Sequence, residues 1–393
     1  MFAKKRNKYI FAKPKKSEII MKGVLVVLLV AAIAVVGMFI YFNLFGTASK
    51  VHLVEKVEAE INSEVDASSF IERIDDGGVI YSESKIDTSK LGKTECEVML
   101  KFGDKTREYT FDVTIVDTTA PVIQCDESFN ILKDSKVDLV KLTSASDNSG
   151  EKIKVSADGK IDSSKKGTYD VTLSSKDSSG NETKKKVSVT VIEPKDLKDG
   201  DKFYTEKGFV AERKDGVVMI DGQPIINKSF EADSGYAPGV NEDGYKAFNE
   251  MLDAADKAGR FIEILSTYRS YGAQSSRYYS KVRELGEEKA LTAEPKAGFS
   301  EHQSGYAYDV NKTSADFADS EDGKWILSNC YKYGFIVRYP SGKESVTGYD
   351  YSPWHLRYVG KDLAAKLYNN GDWITLEEYY GIPSVYAEGA GEE

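Results

Sequence analysis

Two stretches of this chain lie 75 residues apart and read alike, which limits what the first half can fold into. IDTSKLGKTECEVMLKFGDKTREYTFDVTIVD starts at Ile86, and IDSSKKGTYDVTLSSKDSSGNETKKKVSVTVIE starts at Ile161. Each copy has an Ile-Asp-x-Ser-Lys-x-Gly turn, an alternating strand, a polar turn and a second alternating strand. The polar turns are Gly103-Asp104 in the first copy and Ser179-Gly180-Asn181 in the second. Period-two alternation bounded by turn residues predicts half-buried antiparallel strands. A unit of this length is too long for a solenoid repeat and suits a small all-β sandwich. The joint between the copies is expected at Asp117-Thr-Thr-Ala-Pro121, and Glu193-Pro194 ends the second. The boundaries follow as residues 46–118 and 119–194.

Residues 23–44, GVLVVLLVAAIAVVGMFIYFNL, carry no charge. As a helix they would span roughly 33 Å, about the thickness of a bilayer core. Lys4, Lys5, Arg6, Lys8, Lys13, Lys15, Lys16 and Lys22 precede the run, against Glu18 alone, giving residues 1–22 a net charge of +7. With −10 for the whole chain, the remainder carries −17. The basic flank predicts a single-pass helix over residues 23–45, with 1–22 in the cytoplasm and the rest outside. A cleaved signal peptide is the alternative, since Thr47, Ala48 and Ser49 are small enough for a peptidase. Signal cores usually run about 7–15 residues, so the length favours an anchor. A body this acidic does not read as a nucleic-acid binder. Cys96, Cys125 and Cys330 show no metal or redox spacing. Cys96 and Cys330 fall at core positions of their patterns, and a Cys96–Cys125 disulfide stays open.

From Lys195 the pattern changes. Asp221-Gly222 sits between two apolar runs as a hairpin turn. Residues 241–259 read as a helix, with Tyr245, Phe248, Met251, Leu252 and Ala255 on one face and Gly259 as its stop. Helices are also expected over 272–285, 323–333 and 361–369, and strands over 261–265, 306–310, 335–339 and 351–358. Mixed elements without strict alternation predict an α+β domain over 195–386, followed by a disordered tail at 387–393.

This C-terminal part holds two of the three histidines. His302 and Asp309 lie in SEHQSGYAYDV, and His355 lies in YSPWHLRYVG. A catalytic zinc takes three protein ligands and keeps a fourth position for water. Two imidazoles and a carboxylate would supply such a set. Taken singly, each histidine is as readily a satisfied loop or strand residue.

Five ordered blocks strengthen the reading: Ile-Asn-Lys at 226–228, Ser-x-Tyr-Arg-Ser-Tyr at 266–271 with Gln274, Ser-Glu-His-Gln-x-Gly-x-Ala-x-Asp at 300–309, Gly-Phe-Ile-x-Arg-Tyr-Pro at 334–340, and Trp-His-x-Arg-Tyr-Val-Gly at 354–360. With them, residues 195–386 resemble the VanY-like zinc D,D-carboxypeptidases and related L,D-carboxypeptidases of peptidoglycan. The repeats resemble bacterial Ig-like modules, through Asp-x-Thr-x-Pro at 117–121 and Gly-Thr-Tyr-x-Val-Thr at 167–172. The resemblance implies Zn2+ held by His302, Asp309 and His355, with zinc-bound water as nucleophile. It implies contacts from Arg269, Gln274 and Ser300 to the scissile peptide and the terminal carboxylate of a stem peptide. The Ig-like modules read as spacers, or as contacts to cell-wall components. No aromatic cluster or acidic metal-binding loop in them points to catalysis.

One position departs from the pattern. The family carries Glu-x-Trp-His before the last histidine, and this chain has Ser352-Pro353-Trp354-His355. That glutamate is the general base, and serine cannot accept a proton near neutral pH. Losing a general base typically costs about 10²–10⁴ in rate. Asp350 lies two residues earlier, and Glu344 and Glu301 are further carboxylates. Two expectations follow: a membrane-anchored enzyme removing the terminal D-alanine from stem peptides, or a zinc protein with impaired catalysis that binds peptidoglycan or regulates its turnover.

Overall fold

The computed structural model describes Val24, residues 26–38 and residues 50–387 of the chain. Val24 and residues 26–38 are helical, and the rest of the expected span lies outside the described residues. Among the described residues no helix is long and apolar enough to cross a membrane. Most of the expected tail, residues 388–393, also lies outside them.

The described chain divides into two compact units. The first comprises residues up to Ala120 with 147–151 and 177–181, and the second holds everything else. In the first, strands β1 (Val51–Leu53) and β3 (Ile71–Ile74) pair with each other. A four-stranded sheet runs β2-β6-β5-β4, with β2 Glu58–Glu60, β4 Val79–Glu83, β5 Gly92–Phe102 and β6 Lys105–Val116. The alternation read from sequence appears directly: Cys96, Val98 and Leu100 of β5 and Phe111, Val113 and Ile115 of β6 point into one core. Gly103 takes φ +61° at the hairpin, a conformation that glycine adopts without strain.

In the second unit, β7 (Val122–Gln124) pairs with β9 (Ser144–Ser146). An eight-stranded sheet runs β10-β11-β12-β8-β13-β14-β15-β16. Its first four members are β10 Val155–Asp158, β11 Gly167–Lys176, β12 Glu182–Ile192 and β8 Ser128–Leu132. The others are β13 Lys202–Tyr204, β14 Val210–Lys214, β15 Val217–Ile220 and β16 Gln223–Ile225. The break expected at Glu193-Pro194 therefore does not interrupt the sheet, because β13 pairs in parallel with β8 at Tyr204 and Ile131. Cys96 and Cys330 are buried, and all three cysteines are free thiols.

A second sheet, ordered β17-β18-β20-β19, forms the C-terminal centre. Its strands are β17 Ile264–Ser266, β18 Ala307–Val310, β19 Phe335–Tyr339 and β20 Ser352–Tyr358. The helix Glu242–Lys257 packs on it, started by Asn241, whose side chain accepts from the Gly244 amide at 2.8 Å. Phe248 stacks on Tyr308 with ring centroids 4.9 Å apart, and Phe335 meets both rings edge-on. Tyr245 stays 49% exposed, and Ala247 takes the place expected for it in the core. Phe248, Met251 and Ala255 are buried as read, so tertiary packing only tilts that face toward Gly244 and Ala247.

Candidate metal centre and cleft

Neighbouring strands bring two of the three expected ligands together. In the β18–β20 ladder Asp309 sits directly opposite His355, and opposed residues on one face place their side chains in contact. His355 Nδ1 lies 2.9 Å from Asp309 Oδ1. His302 comes from the turn Glu301–Ser304, and its Nε2 lies 3.0 Å from Asp309 Oδ2. Gly305 makes that turn possible. Its φ is +79°, and a Cβ there would lie 1.9 Å from the Gly239 carbonyl oxygen. One donor atom from each of His302, Asp309 and His355 lies within 4.8 Å of the others, and all three residues are buried.

The far nitrogens are also placed. His302 Nδ1 faces the Thr267 carbonyl oxygen at 2.5 Å, and His355 Nε2 faces Glu301 Oε2 at 3.9 Å. A histidine ligand commonly gives its second nitrogen to a carbonyl or carboxylate, which fixes ring and tautomer. Burial, opposed by Asp309, lowers the His302 pKa, so the ring is neutral and its nitrogen free to bind a cation. Burial also opposes charge on His355, but the hydrogen bond to Asp309 and the nearby Glu301 carboxylate outweigh it and raise that pKa. Asp309 is held well below the usual carboxylate range; burial opposes this, and the two imidazoles prevail. Two imidazoles and one ionised carboxylate, each oriented from behind, fit a zinc ion.

The three donors open into a cleft of about 400 Å³. Arg269 reaches it after β17, tied by its backbone amide to the His302 carbonyl at 3.1 Å. Its guanidinium donates to Gln274 Oε1 at 2.6 Å and Ser266 Oγ at 3.1 Å, and stands 3.6 Å from Asp309 Oδ2. Gln274 is buried behind Arg269 and does not line the cleft. Its amide donates to Glu294 Oε1 at 2.9 Å, so its contacts run to Arg269 and Glu294. Ser300 lines the cleft, with a buried hydroxyl that has no protein partner. Arg277 and Lys281 add two more cations to the lining.

Ser352 begins β20 and lines the same cleft, where its hydroxyl donates to the Asp350 carbonyl at 3.0 Å. Asp350 precedes the strand that Ser352 opens. Its carboxylate nevertheless lines the cleft and accepts from Thr292 Oγ1 at 3.3 Å. Glu344 is outside the cleft lining.

Several residues around the site were not singled out from sequence. Glu294 is 5% exposed and takes Arg269, Gln274 and Arg277. Arg338 and Arg357 are fully buried and meet on Glu301 Oε1, each at 2.8 Å. The signals for Arg338 are its fixed place in the Gly-Phe-Ile-x-Arg-Tyr-Pro block and its position inside the apolar strand Phe-Ile-Val-Arg-Tyr.

Comparison with known proteins places this arrangement. Residues 238–361 match the family model VanY, D-alanyl-D-alanine carboxypeptidase, and residues 123–191 match the bacterial surface protein Ig-like domain. The Bacillus subtilis (strain 168) protein YodJ is 46% identical over 147 residues, covering 36% of this chain and 53% of that protein. The bifunctional D-Ala-D-Ala dipeptidase and D-Ala-D-Ala carboxypeptidase VanXYC of Enterococcus gallinarum is 36% identical, covering 33% of this chain and 72% of that protein. A solved LdcB LD-carboxypeptidase is 35% identical, with 45% of this chain and 98% of that one covered and a TM-score of 0.42. The chain spans about half the length of the first curated relatives it matches. With the blocks around His302 and His355 inside the matched segment, this chain belongs to the VanY family of D-alanyl-D-alanine carboxypeptidases.

Proposed function

We propose that this protein is a membrane-anchored zinc carboxypeptidase that removes the C-terminal D-alanine from peptidoglycan stem peptides outside the cell membrane. The observation that carries the reading is the buried His302, Asp309 and His355 cluster opening into a cleft beside Arg269. His302 Nε2, His355 Nδ1 and an Asp309 oxygen would hold the metal. When bound, zinc would polarise the scissile carbonyl and lower the pKa of water toward about 7.

The remaining roles fall to the chain's own side chains. Arg269, Arg277 and Lys281 give the cleft a positive wall suited to a peptide's terminal carboxylate, which a guanidinium binds in bidentate fashion. Gln274 and Glu294 hold Arg269 in place rather than meeting the substrate. Hydrolysis needs a group that takes a proton from water and returns one to the leaving amine. Ser352 stands where the family carries that group and cannot serve, so Asp350 is the carboxylate assigned to it. A second reading rests on the same serine: a zinc protein with impaired catalysis that binds peptidoglycan or regulates its turnover.

The anchor is supported by the uncharged run at 23–44 and the net +7 before it. The Ig-like modules then serve as spacers from the membrane, or as contacts to the wall.

The purified full chain should hold about one zinc beyond any other cation, measured by elemental analysis, and His302→Ala should lose it. Removing the zinc should lower the thermal midpoint of the wild type and leave that of His302→Ala unmoved. Wild type without zinc, and indifferent to chelation, would sink the metal site.

A further inference from the structure

A second group of carboxylates, which peptide hydrolysis does not use, converges in the first unit. Asp117 follows β6, Asp147 and Asn148 lie in the segment 147–151, and Asp177 opens the turn 177–181; all belong to that unit. One carboxylate oxygen from each aspartate lies within 4.8 Å of the others. Asp117 is only 8% exposed and Asp177 only 7%.

Local hydrogen bonds place these groups. Asp177 Oδ1 accepts the amides of Gly180 and Asn181 at 2.6 and 2.8 Å, and its Oδ2 accepts the Asn181 side chain at 2.8 Å. Ser179 Oγ donates to Asp117 Oδ2 at 3.0 Å, and Ser149 holds Asp147 Oδ2 through its amide and hydroxyl at 2.9 and 2.7 Å. Glu60 adds a fourth carboxylate, accepting from Thr118, Thr119 and the Asn148 side chain. After all of these bonds, Asp117 Oδ1, Asp147 Oδ1 and Asn148 Oδ1 are buried and accept nothing. Burial, then the negative charges of Asp147, Asp177 and Glu60, push the Asp117 carboxyl upward. Buried carboxylates are paired with cations or coordinate metals.

We propose that Asp117, Asp147 and Asp177 bind a calcium ion, with the Asn148 side-chain carbonyl as a further donor. Every donor offered is oxygen, which selects a hard cation over zinc. Calcium accepts six to eight oxygens in irregular geometry, whereas magnesium demands a near-ideal octahedron. The ion would relieve the repulsion among the carboxylates and hold segments 147–151 and 177–181 to the chain at 117–119. None of this rests on the carboxypeptidase reading.

The test is a calorimetric titration of the purified full chain, stripped of divalent ions and reloaded with zinc, against calcium chloride. One calcium per chain should bind with a dissociation constant of about 10⁻³ M or tighter, the range of extracellular calcium modules. Asp117→Asn and Asp177→Asn should each weaken binding about tenfold or more, because each removes a charged donor. Without calcium, Asp117→Asn should melt no lower than wild type, since it removes a buried like charge; this separates a ligand from a structural residue. His302→Ala should bind calcium as wild type does. No uptake by wild type at about 10 mM, far above the weakest such affinities, would overturn the site. So would unchanged affinity in Asp117→Asn, or loss of uptake in His302→Ala.

Discussion

Ser352→Glu should raise the rate of D-alanine release from a pentapeptide stem at least tenfold, and by about 10²–10⁴ where the missing base is the sole defect. Ser352 is the first residue of β20, three positions before His355, and it lines the cleft. A glutamate there would hold its carboxylate beside the metal donors without disturbing them, because position 352 is only half-buried. The measurement is initial D-alanine release by the two purified proteins at equal zinc content. Asp350, which lines the cleft from outside the strand, is assigned the residual wild-type rate, so Asp350→Asn should abolish release by wild type and leave Ser352→Glu active. A gain in Ser352→Glu that survives Asp350→Asn assigns the deficit to Ser352 alone.

Glu301→Ala should cost about 3–5 kcal/mol of the stability of the C-terminal domain, the usual penalty for removing one partner from a buried ion pair. Glu301 Oε1 receives both Arg338 and Arg357, and Arg338 also makes two bonds to Glu377, at 2.8 and 2.6 Å. Arg357 further donates to the Pro224 carbonyl at 2.7 Å. The cluster joins the turn bearing His302 to β16, β19, β20 and the helix Leu376–Tyr380. Without Glu301, Arg357 keeps its charge in the interior with two carbonyls and the Tyr306 ring but no carboxylate. The change also removes the carboxylate oxygen that stands 3.9 Å from His355 Nε2, so zinc affinity should fall with stability. All three tryptophans, Trp325, Trp354 and Trp373, lie in this domain, so their fluorescence follows its denaturant unfolding specifically.

Acid gives the same cluster a second readout. Burial opposes the charge on Glu301, but Arg338 and Arg357 hold its pKa well below the ordinary value of 4.5. A carboxyl depressed in the folded state contributes stability that is fully present above the unfolded pKa and lost as pH falls below it. The wild-type domain should therefore lose stability progressively below about pH 4.5, and Glu301→Ala should lose less over that interval.

The cluster of His302, Asp309 and His355 was legible because histidine is rare in this chain and all three residues sit in ordered blocks. The helix Glu242–Lys257 was legible from Asn241 and its apolar period, although the buried face turned out rotated toward Ala247. Arg338, Arg357 and Glu294 were not, since charged side chains are ordinarily read as solvated and only their partners show otherwise. Their charged partners lie 17 to 56 residues away in sequence. Asp117, Asp147 and Asp177 escaped for a related reason: each sits alone in a polar turn, and only folding assembles the three. No single loop of the Ig-like modules reads as an acidic metal-binding loop, and the three aspartates come together only in the fold. Gln274, read from sequence as a substrate contact, is placed by the fold behind Arg269, whose guanidinium it accepts from.

D-alanine release from a pentapeptide stem by the purified full chain, with zinc and after chelation, tests the central claim most directly. The account predicts release by the zinc-loaded protein, its loss on chelation, its return with added zinc, and none from His302→Ala. Release that is indifferent to zinc would contradict the assignment of the metal centre. No release from zinc-loaded wild type or from Ser352→Glu would contradict the peptidase reading itself and leave a zinc protein that binds.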